Sequence, residues 1–237
     1  MLAVLPFTNR FAALVEHLVR APAHEPTHRL GRALLADADA ALDVVDETIR
    51  DILDRTLATA EGMWANGGAS ARDTDTLTAL AVATQRTIDY VIEIDGGDAD
   101  ASTRHRAQAA LHAGDHLERL LARLIEDERL ATVAGDDELR AMAEPLAELV
   151  RVERGWLAGG RSDPTTMARL VAERLAARME PFRAAEIERA VVAEADTEAV
   201  TDRLDAARWL GRVAAHLWRV SYHLDELAGT RHVESAA

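Results

Sequence analysis

Residues 107–126 and 207–226 of this chain repeat one another at a spacing of 100 residues. The first segment reads AQAALHAGDHLERLLARLIE and the second ARWLGRVAAHLWRVSYHLDE. Identities fall at Ala107/Ala207, His116/His216, Leu117/Leu217, Arg119/Arg219, Leu124/Leu224 and Glu126/Glu226, and Leu120/Val220 is conservative. A duplication of this length means that one supersecondary unit is used twice. The pattern in both copies is helical, so the chain reads as a tandem pair of small bundles. If the copies are structurally equivalent, His116 and His216 occupy matching sites at the contact between the halves.

The rest of the composition narrows the class. At 237 residues the chain is long enough to bury a real core as one elongated domain or two smaller ones. Apolar residues make up 49% but aromatics only 4%, so that core is aliphatic and alanine-rich. Such a mixture suits close helix packing better than a large sandwich. Cysteine is absent, which removes disulfides, thiolate nucleophiles and Cys-ligated zinc. A net charge of −14 repels phosphate backbones, so nucleic acid is not expected as a partner. All 27 basic residues are arginine, a composition that by itself assigns no phosphate ligand.

Periodicity divides the chain into helices. Phe7, Phe11, Leu14, Val15 and Leu18 form one side of an N-terminal amphipathic helix, followed by a linker at Ala21–Thr27. MLAVLPF is far shorter than the roughly 20 residues that span a bilayer, and no signal-peptide cleavage pattern follows it. The segment is either a helix packed on the bundle or the end of a membrane helix. Next, Leu42, Val45, Ile49, Ile52, Thr56, Ala60 and Met63 form the face of a long helix stopped by Asn66-Gly67-Gly68. Leu77, Leu80, Ala81, Thr84, Ile88, Val91 and Ile92 form the face of another, ended by Gly96-Gly97, and the first repeat copy supplies a third. A second trio is expected over Asp137–Leu157, Pro164–Val192 and Thr197–Leu227, with Asp163 capping Pro164. Pro145 and Pro181 fall inside helical patterns and should each kink or break them. Strand alternation is not found.

Two groups carry metal-ligand chemistry. Asp43 and Glu47 stand at i,i+4 in a carboxylate-rich helix flank, a spacing that can hold a hard cation or face solvent. His112 and His116 are also at i,i+4, where two imidazoles can share one ion. Only His116 recurs, however, since the counterpart of His112 is Arg212, which favours a structural role; His223 reads the same way. Nucleophile elbows and phosphate-binding glycine loops are missing, and a P-loop needs the lysine this chain lacks. The Glu-x-x-His element of di-iron bundles occurs at Glu25–His28, in the expected linker. No catalytic residue and no cofactor are expected.

Two copies of a three-helix unit, each closing with a Leu-x-Arg signature, LERL at Leu117–Leu120 and LWRV at Leu217–Val220, resemble the PhoU family. The chain is more similar still to the PhoU-like cytoplasmic domain at the C-terminus of bacterial sodium/phosphate symporters. LPFTNRFAALVEHLV resembles the junction leaving the last membrane helix of those proteins. GRALLADADAALDVV resembles the opening of their soluble region, and ARWLGRVAAHLWRVSYHL its closing helix. PhoU proteins carry Leu-Glu-Arg-Ile-Gly-Asp-His here, and their Glu and Asp bind clustered metal ions. This chain keeps Glu118 but has Ala122 in the first copy, and has Trp218 and Tyr222, followed by His223, in the second. An indole does not replace a carboxylate on a hard cation, so the family's metal clusters are not expected, and Trp218 with Tyr222 reads as a packing or partner surface.

The resemblance implies an all-α fold, a tandem pair of PhoU-like three-helix bundles at 29–132 and 133–237, preceded by the amphipathic helix and linker at 1–28. It further implies a non-enzymatic regulatory domain at the cytoplasmic face of the plasma membrane. Its partner would be the membrane domain of a phosphate symporter, in cis or as a separate chain, met in part through Phe7, Phe11 and Leu14; a homodimer stays open. A free-standing PhoU-like adaptor and a metal-dependent helical-bundle enzyme are the alternatives.

Overall fold

The computed structural model describes residues 25–94, 100–126, 128–160, 164–192 and 196–234. The amphipathic segment with Phe7, Phe11 and Leu14, the Gly96-Gly97 stop and the Asp163 cap lie outside the described residues. Within them the protein is all-helical. Two 3-10 turns, Pro26–Arg29 and Arg32–Leu34, precede α1 (Ala38–Asn66), α2 (Ala71–Glu93), α3 (Ala101–Ile125), α4 (Glu128–Gly135), α5 (Asp137–Leu157), α6 (Pro164–Val192) and α7 (Thr197–Glu234).

Local chemistry sets these boundaries. The Asp37 carboxylate accepts from the Ala40 amide at 3.1 Å and starts α1. Asn66 ends it because Gly67 turns left-handed, at φ 68°, and Gly68 N–H reaches the Met63 carbonyl at 3.0 Å. Ser70 and Asp73 cap α2 reciprocally: Asp73 accepts from the Ser70 amide at 2.8 Å while Ser70 Oγ accepts from the Asp73 amide. Asp100 and Asp136 do the same work one-sidedly for α3 and α5.

Packing follows the order of the chain. α1, α2 and α3 lie against one another, as do α5, α6 and α7, and α3 meets α7 while α1 meets α5. The α1 face read from the sequence is buried throughout, from Leu42 to Met63. On α2 the buried face is rotated: Ala83, Thr87 and Tyr90 are inside, whereas Ile92 is 68% exposed and Ala81 and Ile88 lie on its flank.

Three expectations need correction. Of the kink or break expected at Pro145 and Pro181, no break occurs, since both helices run on through their prolines. Each is followed directly by a core residue, Leu146 or Phe182, and that burial offsets the roughly 3 kcal/mol that an interior proline costs. The boundary between 132 and 133 falls inside α4, a helix the periodicity did not reveal, whose Leu130 and Val133 are buried against α5 and α7. Finally, the end of the expected linker is docked. Pro26 is buried, Glu25 pairs with Arg86, and the Tyr90 hydroxyl donates to the Gly31 carbonyl at 3.1 Å.

Candidate functional site

The repeated helices α3 and α7 carry a constellation of titratable side chains that joins the two halves of the sequence. Arg106 Nε donates to the Leu227 carbonyl, His112 stacks on His223, His116 meets His216, and the Trp209 indole donates to the Arg123 carbonyl. The order of these pairs runs in opposite directions along the two helices, so α3 and α7 are antiparallel. Among these pairs, His116 and His216 alone occupy equivalent positions in the repeat.

The two helices also bury matching faces. Between 107–126 and 207–226 the degree of exposure differs only at Ala107/Ala207, Glu118/Trp218, Ile125/Asp225 and Glu126/Glu226. Leu117, Leu120 and Leu124 on α3, and Leu217, Val220 and Leu224 on α7, form the apolar floor. His116, His216 and His223 sit above this floor half-buried, and His112 is exposed.

Four imidazoles cluster here. His116 Nδ1 and His216 Nδ1 are 3.4 Å apart, with ring centroids at 5.6 Å. His223 lies parallel to His116 at 5.8 Å and stacks on His112 at 5.0 Å. His223 Nδ1 is held by Glu226 Oε2 at 2.8 Å, which fixes the ring orientation. Burial, followed by repulsion from His216, His223 and Arg119 and only partly opposed by Asp115, pushes His116 down to about 4. Burial lowers His216 too, reinforced by Arg119 and Arg123, and lowers His223 against the pull of Glu226. All three rings are therefore neutral near pH 7, with lone pairs available for hydrogen bonding.

The carboxylates considered as metal ligands are engaged elsewhere. Asp43 accepts from Arg106 Nη2 at 2.6 Å, and Asp39 from its Nη1 at 3.0 Å. Glu47 accepts from Arg29 at 2.8 Å. Asp43 and Glu47 do not join His112 and His116, and among the described residues no group of three or more His, Asp or Glu side chains is arranged to hold a metal ion. Trp218 packs its ring partly into the core beneath the Arg219 guanidinium, which lies 4.1 Å from the ring centre, while Tyr222 is 38% exposed.

Two other places bring polar side chains together. Ser221 donates to Glu153, but both are fully buried, so this is an internal hydrogen bond closed to any substrate. A surface cleft of 340 Å³ is lined by Arg29 and Arg50 and by Glu47, Asp51 and Asp54, so three carboxylates face two guanidinium groups there. Sequence reasoning set His116 and His216 at the contact between the halves, as the structure has them, but did not bring His112 and His223 together there. The missing signal was direction: once α3 and α7 run antiparallel, a repeat places the histidines on a common seam.

No protein-family model matches the chain, and no curated protein or solved structure matches it either. Among the described residues no helix is long and apolar enough to cross a membrane.

Proposed function

We propose that the chain is a PhoU-like regulatory bundle built from two three-helix units, which modulates the membrane domain of a sodium/phosphate symporter by protein contact at the cytoplasmic face of the plasma membrane. The single observation carrying this reading is the meeting of His116 and His216 on antiparallel repeat helices. Equivalent positions face each other where a local two-fold axis passes. The two-fold relates α1 to α5, α2 to α6 and α3 to α7, and the pairing of α1 with α5 and α3 with α7 agrees with it. A bundle of that kind has two lobes on one seam and, among the described residues, no open catalytic centre, which suits a partner-binding role. Exposed Tyr222, with Trp218 one turn away on α7, supplies an aromatic edge for that contact.

The test uses the full chain with the membrane domain encoded next to it or fused to it. Sodium-dependent phosphate uptake is measured in vesicles with and without the chain, and association is followed by co-purification in detergent. A change in uptake together with stable association supports the proposal. Association with no change in uptake, or none at all, sinks it.

A further inference from the structure

We propose that the His116–His216 contact is a proton-sensitive joint, at which a second bound proton drives the two imidazoles apart and loosens α3 from α7. This goes beyond the regulatory reading and holds for the bundle alone, whatever its partner.

The argument begins with proton count. A neutral imidazole has one ring N–H and one lone pair. At 3.4 Å the two Nδ1 atoms make a hydrogen bond only if one carries the proton and the other the lone pair. One ring is thus the Nδ1–H tautomer and its partner the Nε2–H tautomer. A proton added at the far nitrogen of the donating ring leaves the contact intact. The next has to enter at the accepting Nδ1, and it sets two N–H groups and two positive charges head to head.

The surroundings give that charge no refuge. The charged groups facing the cluster are Asp115, Arg119 and Arg123 on α3 and Arg212, Arg219 and Glu226 on α7. Asp115 is already paired with Arg119, Glu126 with Arg123, and Glu226 holds His223, which leaves Arg212 and Arg219. Cations therefore predominate before any imidazole is charged. His223 lies parallel to His116 on the same seam, so a further proton there adds like charge beside His116.

Stability follows with a definite sign. The folded-state pKa of His116 lies below the ordinary 6.5, so the unfolded chain takes up the proton first. Stability is complete above about 6.5 and is lost as pH falls toward about 4, the folded value. The loss is localised, because the cluster lies on the seam of α3 and α7 rather than within either lobe.

Nitrogen-15 NMR of the intact chain, titrated from about pH 8 to about pH 5 where histidine changes charge, reads the ring nitrogens directly. The expected result is unlike tautomers for His116 and His216, with the accepting ring still neutral at the lower limit. Hydrogen exchange should show protection lost on acidification in α3 and α7 before α2 and α6. The thermal midpoint should fall over the same range, and the double substitution His116→Gln, His216→Gln should flatten that fall while His28→Gln should not. Both rings titrating at or above 6.5, or a double variant with the parent's pH dependence, would overturn the proposal. Should the double variant not fold, the NMR titration of the unaltered chain decides alone.

Discussion

The indole N–H of Trp209 donates to the main-chain carbonyl of Arg123 at 2.7 Å. Arg123 stands in the last turn of α3, where the final four carbonyls have no partner within the helix. A side chain from the opening third of α7 thus caps the end of α3, and it is 2% exposed while doing so. The equivalent residue on α3 is Ala109, so the seam is symmetric at its centre and asymmetric at this end.

Replacing Trp209 separates capping from packing. Trp209→Phe removes the donor and keeps most of the ring; it should cost about 1–3 kcal/mol, the range for leaving a buried acceptor unpaired. Trp209→Ala adds a cavity and should cost about 3–5 kcal/mol. Urea unfolding with an unchanged m-value measures both. A phenylalanine variant as stable as the parent would show that water or a neighbour caps that carbonyl.

How far the sequence revealed this arrangement depended on what each signal encodes. Periodicity of apolar residues located α1, α5 and α6 to within a few residues, because burial on one helix face is a local property. It did not find α4, whose eight residues are too few to establish a period. It turned α2 by a fraction of a turn, because Thr87 is buried there by a hydroxyl that bonds back to Ala83, a device invisible to hydropathy. The meeting of His116 with His216 was legible from the repeat, but the stacking of His112 and His223 on the same seam was not. Chain direction at the α3–α7 contact produces that stacking, and nothing local records it.

Gly114 offers a second test of close packing. A methyl group there would stand 2.7 Å from Cγ1 and 3.2 Å from Cδ1 of Ile88, whereas its repeat counterpart, Ala214, carries its Cβ fully buried without replacement by glycine. The absence of that carbon brings α3 close to α2. Gly114→Ala gains about 1 kcal/mol of helix propensity but should destabilise overall, by about 1–3 kcal/mol, as an overpacked contact does. In the Ile88→Ala background the same substitution should become neutral or stabilising. A double-mutant cycle on denaturation midpoints checks the coupling, and additive effects would refute the proposed clash.

The second half is fastened by a buried carboxylate. Glu186 is fully buried on α6 and accepts from Arg203 Nε and Nη2 of α7, both at 3.1 Å, and from Arg189. Arg203 also pairs with Asp136, the cap of α5, and with Glu138 at 3.0 Å, so one guanidinium ties three helices together. Arg203→Met leaves Glu186 buried with less compensation and should cost about 3–5 kcal/mol. The combined Arg203→Met, Glu186→Leu variant should recover most of that loss, since neither charge is then stranded. Calorimetry at neutral pH distinguishes this from simple loss of packing, in which case the double variant would be the less stable one.

The docked stretch that follows residue 24 separates what the bundle needs from what a partner would use. Glu25 pairs with Arg86, Pro26 is buried, Tyr90 bonds to the Gly31 carbonyl, and Leu30, Leu34 and Leu35 pack on the core. Deleting residues 1–24 leaves every one of those contacts in place and should leave the thermal midpoint nearly unchanged. Extending the deletion to residue 35 strips three leucines from the core margin, and even partial burial at about 25 cal/mol per Å² makes this a loss of a few kcal/mol. Under the symporter reading the shorter deletion should also abolish association with the membrane domain, because Phe7, Phe11 and Leu14 belong to the segment removed. A shorter deletion that unfolds the bundle would favour the free-standing adaptor, in which those apolar side chains complete the core instead of reaching a partner.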